Sequence, residues 1–375
     1  MSDYEKKIAE IRQQIDEIDE KIVPLIKRRM NVSRQVAQLK LEEGMPVYDP
    51  IRESQILENV ENKSGKEAAS VYSSIMTASR EKQYEMIKPG VKLRELIRAA
   101  PGSIDTAGYK MACQGAAGAY SYKAAGIFSK DSGIISCESF EDVFKAAEKD
   151  GVLGVLPVEN SEAGSVHAVY DLLMEHNFYI IGAAAVKISH CIASFTGAGE
   201  IKRVISHPQA LRPCSTYIKG HGYTQDEESN TAVAARLISE KKPVGTAVIC
   251  SKEAAAEYGL NIIEEDIQNS KNNYTRFVLI SKKPVVPKDA VKISLCFSLP
   301  HKTGSLYKVL ERFSYNGLNL TKIESRPIHD SNFEYSFYLD FAGNVEREET
   351  LNVLCSLSEE LPGFVFLGNY CETGL

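Results

Sequence analysis

Between Ile8 and Leu39 one face of the chain is a line of aliphatic residues. Ile8, Ile11, Ile15, Ile18, Ile22 and Leu25 recur in alternating steps of three and four, and the pattern resumes at Val32, Val36 and Leu39. A period near 3.5 residues is the seam of a helix that packs lengthwise on other helices. A helix from Asp3 to Glu42 would be about 60 Å long, more than one small domain can cover, so partner helices are required and a second subunit is their expected source. Arg29 interrupts the stripe. A guanidinium facing an apolar seam is costly unless it is paired, either with an internal carboxylate or with a ligand that presents one. Pro24 is expected to remove a backbone bond and bend the helix ahead of Arg29.

The 375 residues fall into three textures, as their length predicts. Met1 to Arg98 holds only three of the 25 glycines and no cysteine, with 18 basic against 17 acidic residues, a helical composition. From Tyr109 to Leu279, β-rich runs such as VLGVLPV, VGTAVIC and TRFVLI alternate with helical stretches, which reads as α/β. From Val291 onward the order is βαββαβ, that of a small α+β ferredoxin-like domain. Pro- and Gly-bearing linkers place the boundaries near 100 and 286, giving domains at 1–98, 108–284 and 290–372.

With 43% hydrophobic and 25% charged residues, disorder as the main state is excluded. A net charge of −6 gives no general attraction to nucleic acid or an anionic membrane, so an anionic ligand must be held by local groups. No run approaches the ~20 apolar residues of a membrane helix, and the start MSDYEKKIAE has no apolar signal segment. A cytoplasmic location is expected. The eight cysteines form no C-x-x-C pair and the histidines no clustered set, so neither a metal, a redox motif nor a cofactor is indicated.

Asp49 can cap a helix that begins at Pro50, with Arg52 and Glu53 in its opening turns. A third helix carries Ala68, Tyr72 and Ile75 on one face, continued by Ser79 and Gln83. With Arg12, Arg29, Lys40 and Arg52 these describe a pocket of several cations, a hydroxyl and an amide. The segment resembles the all-helical chorismate mutase family. The matching residues are Arg12, Arg29 closing "KRR", Lys40 closing "QLK", "DPIRE" from Asp49 to Glu53, and "SREKQ" from Ser79 to Gln83. The resemblance implies rearrangement of chorismate to prephenate without covalent chemistry. Cations would fix two carboxylates, while Lys40 and Gln83 stabilise charge developing on the ether oxygen.

In the α/β segment, helices are expected to begin at Ser121, Ser206 and Ser229 to Thr231, and free amides at such ends attract anions. CQGAAGAYS is neither a Walker A loop nor a dinucleotide fingerprint, so no nucleotide is indicated. The ordered motifs QGAAGAYS (from Gln114), PVENSEAGSV (from Pro157), SHPQAL (from Ser206), SNTA (from Ser229) and NYTRF (from Asn273) resemble prephenate dehydratase. That implies a two-lobed α/β fold of the periplasmic-binding-protein-like kind and loss of water and carbon dioxide from prephenate to give phenylpyruvate. By the same carry-over Thr275 is the catalytic hydroxyl. Asn160, Ser161, Ser206, His207, Gln209, Thr231, Arg276 and Phe277 are the expected substrate contacts.

The final segment resembles an ACT domain, on HKTGSLYKVL and NLTKIESRP. A glycine ahead of a helix lets an amino acid approach free amides. Gly304, Ser305, Leu306, Asn319, Leu320, Glu324, Ser325 and Arg326 are the expected effector contacts. The implied effector is phenylalanine, inhibiting the dehydratase in a homodimer or higher homo-oligomer. Two alternatives stay open, a dehydratase that prefers arogenate and a non-catalytic sensor of aromatic amino acids.

Overall fold

The protein is described here as a computed structural model, over residues 2–129, 133–197, 199–327 and 335–374. The ends of two strand-like runs read from the sequence, at Ile328 and at Phe333 and Glu334, lie outside the described residues. Three helices come first, α1 (Asp3–Glu42), α2 (Pro50–Ile87) and α3 (Val91–Ala99). The alternating region opens with β1 (Lys110–Gln114), α4 (Tyr120–Phe128), β2 (Ile134–Cys137), α5 (Phe140–Ala147), β3 (Val152–Asn160), β4 (Gly164–Ser165), α6 (His167–His176) and β5 (Tyr179–Lys187). It continues with β6 (Cys191–Ser194), β7 (Arg203–Ser206), α7 (Pro208–Leu211), α8 (Ser215–Gly220), β8 (Thr224–Glu227), α9 (Thr231–Lys241), β9 (Thr246–Cys250), α10 (Lys252–Glu257), β10 (Asn261–Glu264) and β11 (Tyr274–Ser281). The last group is β12 (Lys292–Leu299), α11 (Ser305–Tyr315), β13 (Asn319–Pro327), β14 (Tyr335–Ala342), α12 (Glu348–Glu360), β15 (Val365–Tyr370) and β16 (Glu372–Thr373). None of the described helices is long and apolar enough to cross a membrane.

The chain divides into two compact units, Met1–Arg98 with Cys296–Phe364, and Ala99–Leu295 with Val365–Leu375. In the first, α1 starts with a capping box. Ser2 Oγ accepts from the Glu5 amide, and the Glu5 carboxylate accepts from the Ser2 amide. The helix continues through Pro24 from Asp3 to Glu42, with Ser33 and Ala37 buried. The aliphatic seam from Ile11 to Leu39 stays exposed, 41–62% at Ile11, Ile15, Ile18, Ile22, Leu25, Val32, Val36 and Leu39. Asp49 caps α2 by accepting from the Arg52 amide at 3.0 Å. Gly65 (φ +85°) breaks α2 into two arms, which are the second and third helices read from the sequence. The second arm packs on α1, α11 and α12.

The second unit holds two sheets. One runs β16-β5-β11-β3-β1-β2, with β4 on β3, and the other β10-β6-β9-β7-β8. β1, β2 and β3 are parallel, as are β7, β8 and β9, whereas β11 lies antiparallel between β3 and β5. The cores are aliphatic and small-residue layers, around Leu153, Val155 and Phe277 in the first lobe, and on the two faces of the second sheet around Val248 and Ile249. Gly118, with φ +87°, sits where a Cβ would fall 2.5 Å from Ala254 Cα, so only glycine permits that approach between the lobes. The remaining sheet has the order β13-β14-β12-β15, the ferredoxin-like arrangement expected of βαββαβ.

Two of the three expected helix starts need correction, those at Ser121 and Ser206. α4 is capped at Ala119 without a side-chain bond, and Ser121 is a buried residue inside its first turn. His207, not Ser206, caps α7, because Ser206 ends β7 with its hydroxyl donated to Ile249 O at 2.6 Å. The third start falls where expected, with Asn230 capping α9 and Thr231 as its first helical residue.

Candidate active sites and an effector cavity

In the helical unit, Arg29 donates to Ser79 Oγ and, at 3.4 Å, to Ile75 O, with its guanidinium 5.8 Å from the centre of the Tyr72 ring. Arg29 has no carboxylate partner among these contacts. Gln83 Nε2 donates to Ser33 Oγ at 3.0 Å, and Ser33 passes its own proton to Ser79 O at 3.3 Å. That chain fixes the amide, because a hydroxyl that donates to a carbonyl can only accept from Gln83. The second Gln83 N–H stays available, while its buried Oε1 has no protein partner. Lys40 donates to Val47 O at 2.6 Å. Glu53 is held by Arg80 Nη1 at 3.3 Å, and burial pushes its carboxyl above the ordinary range while Arg80 opposes the shift. Arg12 and Arg52 are exposed, as is Asp49, whose side chain is the α2 cap. The structure thus brings Arg29, Ser79 and Gln83 together, and adds Ser33 and Arg80, which sequence reading passed over. Ser33 lies one helical turn after Arg29 and Arg80 inside the SREKQ run, so both carried a signal.

The first lobe of the α/β unit centres on Thr275, buried on β11. Its register partner on β3 is Asn160. Asn160 Nδ2 donates to Thr275 Oγ1 at 2.9 Å and to Asn273 Oδ1 at 2.7 Å, while Asn160 Oδ1 accepts from the amides of Glu162 and Ala163 at 3.0 and 2.8 Å. Both ends of that amide are therefore engaged within the protein. A hydroxyl that accepts from Asn160 is left to direct its proton elsewhere. Ser161 is similarly engaged, donating to Asn272 O at 3.1 Å and accepting from the Tyr274 amide at 3.0 Å. Alternation along β11 puts Arg276 on the opposite face from Thr275, where it meets Glu159 at 3.5 Å and Glu372 at 4.0 Å. Phe277 is a core residue, 2% exposed.

The second lobe presents His207 and Thr231 just past the carboxyl ends of the adjacent parallel strands β7 and β8. Open α/β sheets bind ligands at such ends. His207 Nδ1 accepts from the Gln209 amide at 3.2 Å, and the Gln209 side chain is exposed. The loop after β1 approaches the same place, since a Cβ on Gly115 would lie 3.9 Å from Asn230 Nδ2. Asn273 is the residue missed here, although it opens the quoted NYTRF motif.

In the C-terminal module, Gly304 (φ +80°) is the N-cap of α11 and makes no side-chain cap bond; the Ser305 amide donates to Lys302 O at 3.1 Å, which leaves the amides of Leu306 and Tyr307 as the donors of the first turn. Ser305 and Leu306 line a cavity of about 370 Å³ together with Leu299, His301, Lys302, Tyr335 and Phe337. Asn319, Leu320, Glu324, Ser325 and Arg326 lie instead on β13, at the edge of the sheet, and are not among the cavity's lining residues. Alternation of Tyr335 and Phe337 on β14 was the available signal for the cavity's aromatic wall.

Comparison with known proteins gives consistent results. Residues 111–285 match the family model for prephenate dehydratase, and residues 11–84 that for chorismate mutase type II. A bifunctional chorismate mutase/prephenate dehydratase from Aquifex aeolicus (strain VF5) is 30% identical over 372 residues, covering 97% of this chain and 98% of its own length. Arogenate dehydratase/prephenate dehydratase 2, chloroplastic, from Arabidopsis thaliana is 37% identical over 275 residues, 70% of this chain and 72% of its own. A solved prephenate dehydratase from Arthrobacter aurescens in complex with L-Phe superposes with a TM-score of 0.64 at 28% identity, covering 70% of this chain and 90% of that one. With both family models matched in a single chain and a relative aligned from end to end, this protein belongs to the bifunctional chorismate mutase/prephenate dehydratase family.

Proposed function

We propose that the helical segment converts chorismate to prephenate and that the two-lobed segment converts prephenate to phenylpyruvate, with phenylalanine as the inhibitory effector. The observation that carries the reading is the pairing, in one chain, of a carboxylate-free Arg29 beside Ser79 and Gln83 with a Thr275 hydroxyl held by Asn160. In the mutase, Arg29 meets a substrate carboxylate, and the second Gln83 N–H and the Lys40 ammonium face the ether oxygen as charge develops there. Glu53 accepts from the substrate hydroxyl, and Asp49 and Arg52 border the site. Arg12 stands 17 residues before Arg29, about 26 Å along the helix. It therefore serves the pocket of a partner chain, which also covers the exposed α1 seam and makes the enzyme a homodimer or higher homo-oligomer.

In the dehydratase, Thr275 delivers a proton or hydrogen bond to the departing ring hydroxyl. The C–O bond breaks to release water, the bond to the ring carboxylate breaks to release carbon dioxide, and its electron pair completes the aromatic ring. Asn160 and Ser161 shape the site, and the α9 terminus with Thr231 meets the remaining carboxylate. Arg276 is occupied by Glu159 and Glu372, so its part is to hold β11. Phenylalanine occupies the cavity at Gly304–Leu306, a reading supported by the L-Phe complex of the Arthrobacter aurescens relative. The functional boundaries are 1–98, 108–284 and 290–372, and the setting is cytoplasmic.

Chorismate fed to the purified protein, with prephenate and phenylpyruvate resolved over time, tests the whole scheme. Phenylpyruvate should accumulate, and phenylalanine should suppress it. Chorismate persisting while phenylalanine binds would replace the enzyme with a sensor. Arogenate is run in parallel because the Arabidopsis thaliana relative carries both dehydratase names.

A further inference from the structure

Arg312, Glu81 and Glu360 have no part in the chemistry above, yet they form a buried charge cluster that reaches it. Arg312 of α11 is 2% exposed and meets Glu81 of α2 at 2.8 Å and Glu360, the last residue of α12, at 2.8 Å. Its remaining nitrogen donates to Ser356 Oγ, and the Tyr84 hydroxyl donates to Glu360. The other Glu360 oxygen lies 3.9 Å from Arg80 Nη1, the same nitrogen that holds Glu53 at 3.3 Å. Glu81, Arg312, Glu360, Arg80 and Glu53 thus alternate in sign from the C-terminal helices to the opening turn of α2. All five belong to one compact unit.

Helix packing alone does not call for this arrangement, since apolar side chains of similar volume usually hold helices together as well as a buried ionic cluster does. Arg80 is also incompletely anchored. Its buried Nε has no partner, and its guanidinium rests 4.9 Å over the Tyr48 ring. Its place depends on the two carboxylates that share it.

We propose that Glu360 and Arg312 are positioning residues for the mutase reaction. They fix Arg80, and through it Glu53, so that helices of the C-terminal module set the geometry of the chorismate pocket. The proposal rests on the reading of Glu53 as a chorismate contact.

The test uses the full chain with Glu360→Gln, which keeps the shape and removes the charge. Mutase kcat/KM for chorismate is expected to fall about three- to thirty-fold, mainly in kcat. The acid limb of its pH profile should move to lower pH. Glu53 is faced by Arg80, Glu360, Lys308, Arg312 and the Tyr48 hydroxyl, and of these Glu360 and Tyr48 are the acidic groups. Removing the Glu360 charge leaves Arg80 wholly to Glu53 and lowers its carboxyl. Dehydratase turnover on prephenate reports that the chain is folded. Arg312→Lys, which retains the charge but loses the planar fork whose three nitrogens reach Glu81, Glu360 and Ser356 separately, is the second variant and should give the same split. A cycle of Glu360→Gln with Arg80→Lys should be non-additive. An unchanged mutase rate and pH profile in folded Glu360→Gln and Arg312→Lys would overturn the proposal. If Glu53→Gln itself leaves the mutase unaltered, the reading of Glu53 fails instead.

Discussion

At the scale of single residues, the dehydratase depends on which atom of a hydroxyl is already occupied. Asn160 donates to Thr275 Oγ1, so the Thr275 proton points away from β3. Thr275→Ala is expected to lower dehydratase kcat by about 10² to 10⁴, whereas Thr275→Ser keeps the hydroxyl and most of the rate. Asn160→Ala should cost on the order of 10² in kcat with little change in KM, because it frees a group that must be aimed. Steady-state kinetics on prephenate decide this, and an unchanged kcat in Thr275→Ala would remove that residue from the mechanism. A second residue governs stability. His190 is 4% exposed with its ring edge-on to Tyr120, and burial pushes its pKa down to about 4. Between that value and the ordinary one of about 6.5 the unfolded chain binds a proton that the folded chain does not, so stability rises with pH across the interval. The contribution is complete above about 6.5 and is lost as pH falls towards 4, an effect of about 3 kcal/mol. Urea midpoints at pH 7.5 and 4.5 should therefore separate less in His190→Phe than in the parent, and equal separation would refute the assignment.

At the scale of elements, α1 is the clearest case of a structure readable in advance, because nine aliphatic positions from Ile8 to Leu39 sustain one period through most of a 40-residue helix. Its covering partner is not written in its own pattern, and most of the seam is exposed on the single chain. Arg12→Ala and Arg29→Ala should each lower mutase turnover by about 10² or more. Mixing the two proteins under conditions that exchange subunits should restore about a quarter of the parent rate, since random pairing makes half the dimers mixed and each has one intact pocket. No recovery despite exchange would place both arginines on one chain's pocket. The helix starts at Ser121, Ser206 and Thr231 were readable only to within a residue or two. Adjacent candidates compete at Ser206-His207 and Ser229-Asn230, and which one caps depends on tertiary contacts such as that of Ser206 with Ile249, whereas the N-cap of α4 is Ala119, which has no capping side chain at all. Arg276 illustrates a different limit. Its alternation with Thr275 was legible, but of the two carboxylates that occupy it, Glu159 and Glu372, the second is 96 residues away in sequence and on a two-residue strand.

At the scale of the whole molecule, the order of segments along the chain differs from the order of compact units, because residues 365–375 rejoin the unit that the chain left at 295. The return is specific. Gly368, at φ +152°, carries no Cβ where one would fall 2.1 Å from Ile180 O, and the Ala183 amide donates to Cys371 O at 3.0 Å. Glu372 of β16, with its side chain 7% exposed, then joins Lys292 and Arg276 beside β5 and β11. Ending the chain at Tyr370 removes that carboxylate and leaves two cations short of a partner in a poorly hydrated place. The expected cost is about 3 kcal/mol, in the range for breaking a buried pair. For a unit of this size that corresponds to about 2–4 °C for each kcal/mol. Thermal inactivation followed separately for the two activities reads the effect. Dehydratase activity should be lost at a temperature lower by about 6–12 °C, while the temperature at which mutase activity is lost stays near its original value. Gly368→Ala should act in the same direction by displacing β15 from β5. If the two activities shift together in the truncated chain, the last residues stabilise both units, and the assignment of Glu372 to the dehydratase sheet alone is wrong.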